Sequence, residues 1–229
     1  MSTHRFRWPL IATATVFTLA LTACAGGQAG PAPTTDAEPV AGGELTLEFW
    51  PDNAAFACVD PFQTYWIEHR QVIRNVADSL TDQDPETGEL VPWLATDWSV
   101  SDDGLTYTFI LRDDVTFSDG TPLNAAAVVR TFDSALETIQ AVPGAYGGVY
   151  VAGLEAATAV DDNTVEVSFS TPNSSFLQGT STTNLAILAP SSYDATPEER
   201  CLGNVVGSGP FVLDSYRPGE GIDLSKRDG

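Results

Sequence analysis

A mixed α/β (α+β) fold is expected for this 229-residue chain on three grounds. Segments in which apolar and polar residues alternate, the period of a half-buried strand, are interleaved with segments whose apolar residues recur at helical spacing. Short turns rich in Gly, Pro, Asp and Asn divide the two kinds of segment. With 43% hydrophobic and only 18% charged residues, the chain can bury one or two cores and is not disordered over most of its length.

In chain order, Arg5 and Arg7 precede an apolar run from Pro9 to Ala20. The run is shorter than the roughly 20 residues of a membrane-spanning helix and reads as an export signal. It ends in Leu21-Thr22-Ala23-Cys24, which is similar to a bacterial lipobox, so residues 1–23 are expected to be a lipoprotein signal peptide with Cys24 carrying the lipid. A plain secretory signal with an incidental cysteine is the alternative. Residues 24–41 then form the lipidated cysteine and a flexible linker rich in Gly, Pro, Ala and Thr.

Leu45, Leu47 and Phe49 alternate with Glu44, Thr46 and Glu48, predicting a strand that stops at Trp50-Pro51. From Trp66 to Leu80 the spacing of Trp66, Ile73, Val76, Ala77 and Leu80 predicts an amphipathic helix, with an Arg74–Asp78 pair and His69 on its surface. Turns at Asp84–Gly88 and Ser101–Gly104 flank extended pieces between Leu90 and Trp98. Leu105 to Arg112 is a strand with Leu105, Tyr107, Phe109 and Leu111 on one face. After the Ser118–Pro122 turn, Asn124 caps a helix carrying Val129, Phe132, Leu136 and Ile139. Leu154–Val160 and Thr164–Phe169 flank Asp161-Asp162-Asn163 as a hairpin.

Thirty-one acids against ten bases give a net charge of −21, which argues against nucleic acid as a partner. Loss of residues 1–23 removes Arg5 and Arg7 and no acid, leaving eight bases, a charge of −23 and a body repelled by anionic lipid. Membrane attachment would therefore come from the acyl chains. Histidine occurs only at positions 4 and 69 and cysteine only at 24, 58 and 201, so no zinc site has the needed ligands, and neither metal nor cofactor is expected. Export makes Cys58 and Cys201 an expected disulfide, with two buried free thiols as the alternative. No G-x-S-x-G elbow occurs and His69 is the only histidine after the signal, so a secreted hydrolase lacks its usual parts and no catalytic residue is assigned.

Five segments together resemble a known family. They are Leu94-Ala95 with Trp98; Val100 to Phe109 with Leu111-Arg112; Phe117-Ser118-Asp119-Gly120-Thr121-Pro122-Leu123; Val160 to Val165; and Val206-Gly207-Ser208-Gly209-Pro210-Phe211. In this order they resemble the extracytoplasmic solute-binding proteins of ABC transporters, peptide/nickel-binding family, which includes the oligopeptide- and dipeptide-binding lipoproteins. Asp114 stands where the family often has Gly, and Ser208 where Thr is usual. Members are longer, fold as two lobes and close on a solute between them.

The resemblance implies a periplasmic-binding-protein-like type II fold, of which this chain holds the N-terminal lobe only, with the second lobe missing. Residues 42–74 would open lobe I, 75–185 form the family's small subdomain, and 186–229 return into lobe I. Function would be capture of peptides or a related solute and delivery to an ABC permease, by a monomer lipid-anchored to the outer face of the cell membrane or periplasmic. By position Gln63, Thr64, Tyr65 and Trp66, and the aromatic Tyr146, would line the cleft, while Gly207 to Pro210 read as a structural turn. A non-transport surface lipoprotein on the same fold, or a nickel-chelate, haem, sugar or antibiotic binder, stays open.

Overall fold

A computed structural model describes residues 42–48, 58–64 and 67–228. Two units are distinguished, 1–47 and 48–229. In the first, residues 42–47 have no regular structure, and Leu45 and Leu47 are 81% and 61% exposed. The strand expected at Glu44–Phe49 does not form over 44–48; Phe49, Trp50 and Pro51 lie outside the described residues. Alternation marks two faces of a strand, but the ladder also needs a neighbour, which no local pattern specifies.

The second unit is built on a four-stranded antiparallel sheet. Two short strands, β1 (Thr81–Gln83) and β2 (Leu90–Pro92), pair across the Asp84–Gly88 turn, and Asp84 holds that turn by accepting from Glu86 N and Thr87 N. Then β3 (Ala95–Val100), β4 (Thr106–Leu111), β5 (Leu154–Ala159) and β6 (Thr164–Phe169) form a sheet of order β3-β4-β6-β5. The expected hairpin about Asp161–Asn163 is present as β5–β6, and β3 and β4 pair antiparallel across the Ser101–Gly104 turn. The inner face carries Tyr107, Phe109 and Leu111 from β4 and Val165, Val167 and Phe169 from β6, while Ile110 faces out.

Helix α2 (Ala125–Ala141) covers that inner face, and its first turn is capped as the sequence implies, with Ala127 N donating to Asn124 Oδ1 at 3.0 Å. Its buried stripe is Val128, Phe132, Ala135 and Thr138, one step round from the expected Val129, Leu136 and Ile139, which are half-buried. Small residues at 127, 134 and 135 let the helix lie close on the sheet, so the contact centres on them rather than on the largest side chains. Phe176, on the one-turn helix α3 (Phe176–Gly179), closes the core, its ring 4.7 Å from Phe169 and 4.8 Å from Tyr107.

A second, smaller core holds Val59, Ile73, Ala77, Ala186, Leu188 and Val205, covered by Leu213, Tyr216 and Ile222. It lies between α1 (Ile67–Val76) and the hairpin of β7 (Phe211–Arg217) and β8 (Gly221–Lys226). Two expectations for α1 are corrected. His69 is 2% exposed rather than on the surface, because it shares an i, i+3, i+4, i+7 stripe with Val72, Ile73 and Val76. Arg74 pairs with Asp82, not Asp78, because the helix stops at Val76; Asp78 instead accepts from Trp93 Nε1 and Ser208 Oγ. Among the described residues no helix is long and apolar enough to cross a membrane.

Candidate functional site

Three single-turn 3₁₀ segments, Pro61–Gln63, Tyr146–Val149 and Thr183–Leu185, pack together, and Phe62 and Leu185 send their side chains into the larger core. The first is formed locally. Asp60 caps it by accepting from Phe62 N at 3.1 Å, and Pro61 supplies the φ that the opening residue of a helical turn needs. Asn184, from the third turn, donates to the carbonyls of Pro61 (3.1 Å) and Thr64 (2.7 Å) and so binds the first turn to the third. Gly147 joins the second to the first: a Cβ there would sit 2.5 Å from the Phe62 ring and 2.8 Å from its carbonyl oxygen, so only glycine allows the approach.

Two long-range links hold the Asp60 turn against α4 (Pro197–Cys201). Cys58 is disulfide-bonded to Cys201, 143 residues away, and Val59 N donates to Cys201 O at 3.1 Å. Next to it Arg200 Nε donates to Asp60 Oδ2 at 2.9 Å, with both side chains 3% exposed. The remaining guanidinium donors reach Ala195 O (2.9 Å) and Thr138 Oγ1 (2.8 Å), so the buried charge is paired and hydrogen-bonded. Tyr193 lies between the guanidinium groups of Arg130 and Arg200, each 5.3 Å from its ring centre, and donates to Thr131 Oγ1. Burial pushes the Tyr193 phenol well above its ordinary range.

Of the residues proposed from sequence, Gln63 donates to Asp60 Oδ2 and Pro197 O, both at 2.7 Å. The buried Thr64 hydroxyl donates to Pro61 O at 2.8 Å. Tyr146 is half-buried, edge-on to Tyr150 with ring centres 6.3 Å apart. Burial raises the Tyr150 phenol, the neighbouring Tyr146 adds to the shift, and the charge of Arg70 opposes it. The packing of the first two turns thus brings Gln63, Thr64 and Tyr146 into one region. Tyr65 and Trp66 lie outside the described residues, as does Cys24.

Asp60, Asn184 and Arg200 are the residues that sequence reasoning missed. Only Asp60 carried a local signal, as the residue before Pro61. The Gly207–Pro210 segment is a packing turn: Cβ atoms at Gly207 and Gly209 would lie 2.1 Å from Val76 O and 2.5 Å from Asn75 O, and Gly209 N donates to Val76 O. Cavities bounded by these elements are small, about 20 Å³ beneath the Asp60 turn and about 10 Å³ beside α1, each near the room of a single water. Solute pockets are larger by more than an order of magnitude, roughly 300–1,000 Å³. Among the described residues no group of three His, Cys, Asp or Glu side chains could hold a metal.

Residues 89–229 match the family described as bacterial extracellular solute-binding proteins, family 5 Middle. The chain is similar to the peptide transport periplasmic protein SapA of Salmonella typhimurium, 34% identical over 171 residues, covering 66% of this chain and 31% of SapA. It is 30% identical over 172 residues to the glutathione-binding protein GsiB of Escherichia coli K12, covering 75% of this chain and 32% of GsiB. Its fold matches the crystal structure of NikA from Brucella suis in complex with Fe(III)-EDTA, with a TM-score of 0.64 and 27% identity over 78% of this chain and 35% of NikA. The chain spans about a third of the length of the curated relatives it matches.

Proposed function

The chain belongs to the family 5 bacterial extracellular solute-binding proteins, and from that membership we propose that it is the N-terminal part of a binding protein that captures peptides, or a related small solute, outside the membrane and passes them to the permease of an ABC importer. The family match over 89–229 carries this reading. The relatives SapA and GsiB are named for peptide transport and glutathione binding, which makes peptides the first solutes to test and favours a binding role over catalysis.

In this reading 42–74 opens lobe I, 75–185 is a subdomain packed on its own larger core, and 186–229 returns to complete the smaller one. The three clustered 3₁₀ turns form one wall of the solute cleft, and the other wall comes from the part of the relatives that this chain does not cover. Gln63 and Thr64 hold the wall through their own hydrogen bonds, while Tyr65, Trp66 and Tyr146 meet the solute. Solute favours a closed form because only that form offers both walls at once. The cavities of about 20 and 10 Å³ support a cleft that needs a second wall. Cys24 carries the lipid and holds the acidic body at the outer face of the membrane, residues 25–41 serving as a tether.

Uptake of a labelled tripeptide by cells with and without the gene tests the transport role. Uptake should fall at least tenfold on deletion and return with the wild-type gene; unchanged uptake of peptides, glutathione and chelated metal would refute it. Restoring the gene as Cys24→Ser should shift the protein from the detergent phase to the aqueous phase, and continued membrane attachment would refute the anchor.

A further inference from the structure

The small cavities beside α1 and beneath the Asp60 turn differ in the chemistry of their walls. The one beside α1, about 10 Å³, is bounded entirely by apolar side chains, among them Val59, Val72, Ile73, Val76 and Leu213. The one beneath the Asp60 turn, about 20 Å³, is bordered by Ser134 and Thr138 of α2 together with Asp60, Tyr193 and Arg200. Room for one water takes about 10–15 Å³, and the water stays only where two to four polar groups hold it. Both cavities are near that size, so polarity decides between them.

Ser134 lies on the buried stripe of α2, 1% exposed, and its hydroxyl has no hydrogen-bond partner among the described residues. The hydroxyls near it on the helix are met. Thr131 donates to Ala127 O at 3.1 Å, four residues back, and Thr138 accepts from Arg200 Nη2 at 2.8 Å. Ser134 could answer its hydroxyl in the same way on the Arg130 carbonyl and does not. A buried hydroxyl left unmet is costly, which points to a partner other than the protein. Arg200 borders the same space with five N–H donors, of which Asp60, Ala195 and Thr138 take three. An unmet hydroxyl and a donor-rich guanidinium therefore share one water-sized cavity.

We propose that the cavity beneath the Asp60 turn is a binding site for a single structural water, held by the Ser134 hydroxyl and an Arg200 N–H, which joins α2 to the Asp60–Arg200 clamp. The apolar cavity beside α1 stays dry. The inference is independent of the solute-binding reading, because it needs only the packing of α2 against the Asp60 turn. Its consequence for the first 3₁₀ turn is that one of the links holding it to the larger core is hydrated rather than direct.

A high-resolution crystal structure of the full-length protein tests the site. A water should refine within about 2.7–3.2 Å of Ser134 Oγ and of an Arg200 nitrogen, with none in the cavity beside α1. No water at Ser134, whether its hydroxyl stays as it is or turns onto the Arg130 carbonyl, would overturn the proposal. A water in the apolar cavity as well would also overturn it, because room alone would then suffice. In solution, magnetic relaxation dispersion of the water oxygen counts waters held longer than the protein tumbles. Ser134→Ala should hold one fewer than wild type, with an unchanged near-ultraviolet circular dichroism spectrum showing that the variant keeps its packing; an equal count would overturn the role given to Ser134.

Discussion

Replacing Arg200 with Met should be among the most damaging single changes in the chain. Four interactions converge on that side chain: the 2.9 Å pair with Asp60, the bonds to Ala195 O and Thr138 Oγ1, and the stacked Tyr193 ring. Methionine keeps much of the packing but leaves the Asp60 carboxylate buried with only Phe62 N and Gln63 Nε2 as donors. Breaking a buried pair on one side costs about 3–5 kcal/mol, chiefly from the uncompensated charge. For a body of this size that is a fall of roughly 10 °C in melting temperature. Thermal and guanidinium melts of wild type, Arg200→Met, Asp60→Asn and the double variant would close the cycle. The double variant should be less damaged than the two singles added together, with a coupling of about 2 kcal/mol or more. Losses below about 1 kcal/mol that simply add would refute the clamp, because a buried pair with unmet partners cannot be that cheap to break.

Other consequences are as open to test. The Cys58–Cys201 bond closes a loop of 143 residues, so the Cys58→Ser/Cys201→Ser variant should lose up to about 5 kcal/mol of chain-entropy stabilisation; alkylation of either thiol without prior reduction would count against the bond. Gly207→Ala and Gly209→Ala place a Cβ against the Val76 and Asn75 carbonyls and should each cost about 2 kcal/mol or more, while Gly144→Ala, with nothing within 4 Å, should be nearly neutral in the same melts. Hydrogen bonds from turn backbone and hydroxyl groups lower Asp84 and Asp161, and the Asp103 carboxylate is lowered by Ser101 and Leu105 N. Such depressed carboxylates stabilise the fold above their unfolded value of about 3.9, and the contribution disappears as pH falls from there through the native values. At the other end, Tyr193 is raised, so its neutral burial stabilises the fold fully below the unfolded value of about pH 10, and the contribution declines as pH climbs from there towards the raised native value; a melting temperature flat from pH 9 to 11.5 would contradict it.

Local features of this fold were readable because local chemistry forms them. The alternation of Tyr107, Phe109 and Leu111, the Asn124 cap and the Asp161–Asn163 hairpin each depend on residues within one element or one turn. Features that depend on distant chain were not readable. The run Leu45–Leu47 has a strand pattern but no ladder over 44–48. Arg74 chose Asp82 over Asp78 because Gly209, 133 positions beyond Val76, packs where the helix ends. His69 is buried because its position falls three residues after Trp66 and three, four and seven before Val72, Ile73 and Val76, on the apolar stripe; residue type points it to the surface, spacing points it inward, and spacing wins.

The candidate site divides the same way. Gln63, Thr64 and Tyr146 came from resemblance, and the structure places them near one another, but the residues that hold them there were silent. Asp60 and Arg200 are 140 positions apart, and a lone arginine in α4 carries no sign that its partner is buried with it. Asn184 likewise bonds carbonyls 120 and 123 positions away. Cysteine was the exception, because three residues and an exported chain leave few pairings to consider.

A crystal structure of the full-length protein with the solute that co-purifies from its own cells would test the central claim most directly. The solute should lie against the Gln63–Trp66 segment with Tyr146 at its side and a second wall of protein closing over it. A solute bound only to the remainder of the protein, with the three clustered turns facing solvent in a fully closed form, would contradict the claim that these turns form a wall of the cleft.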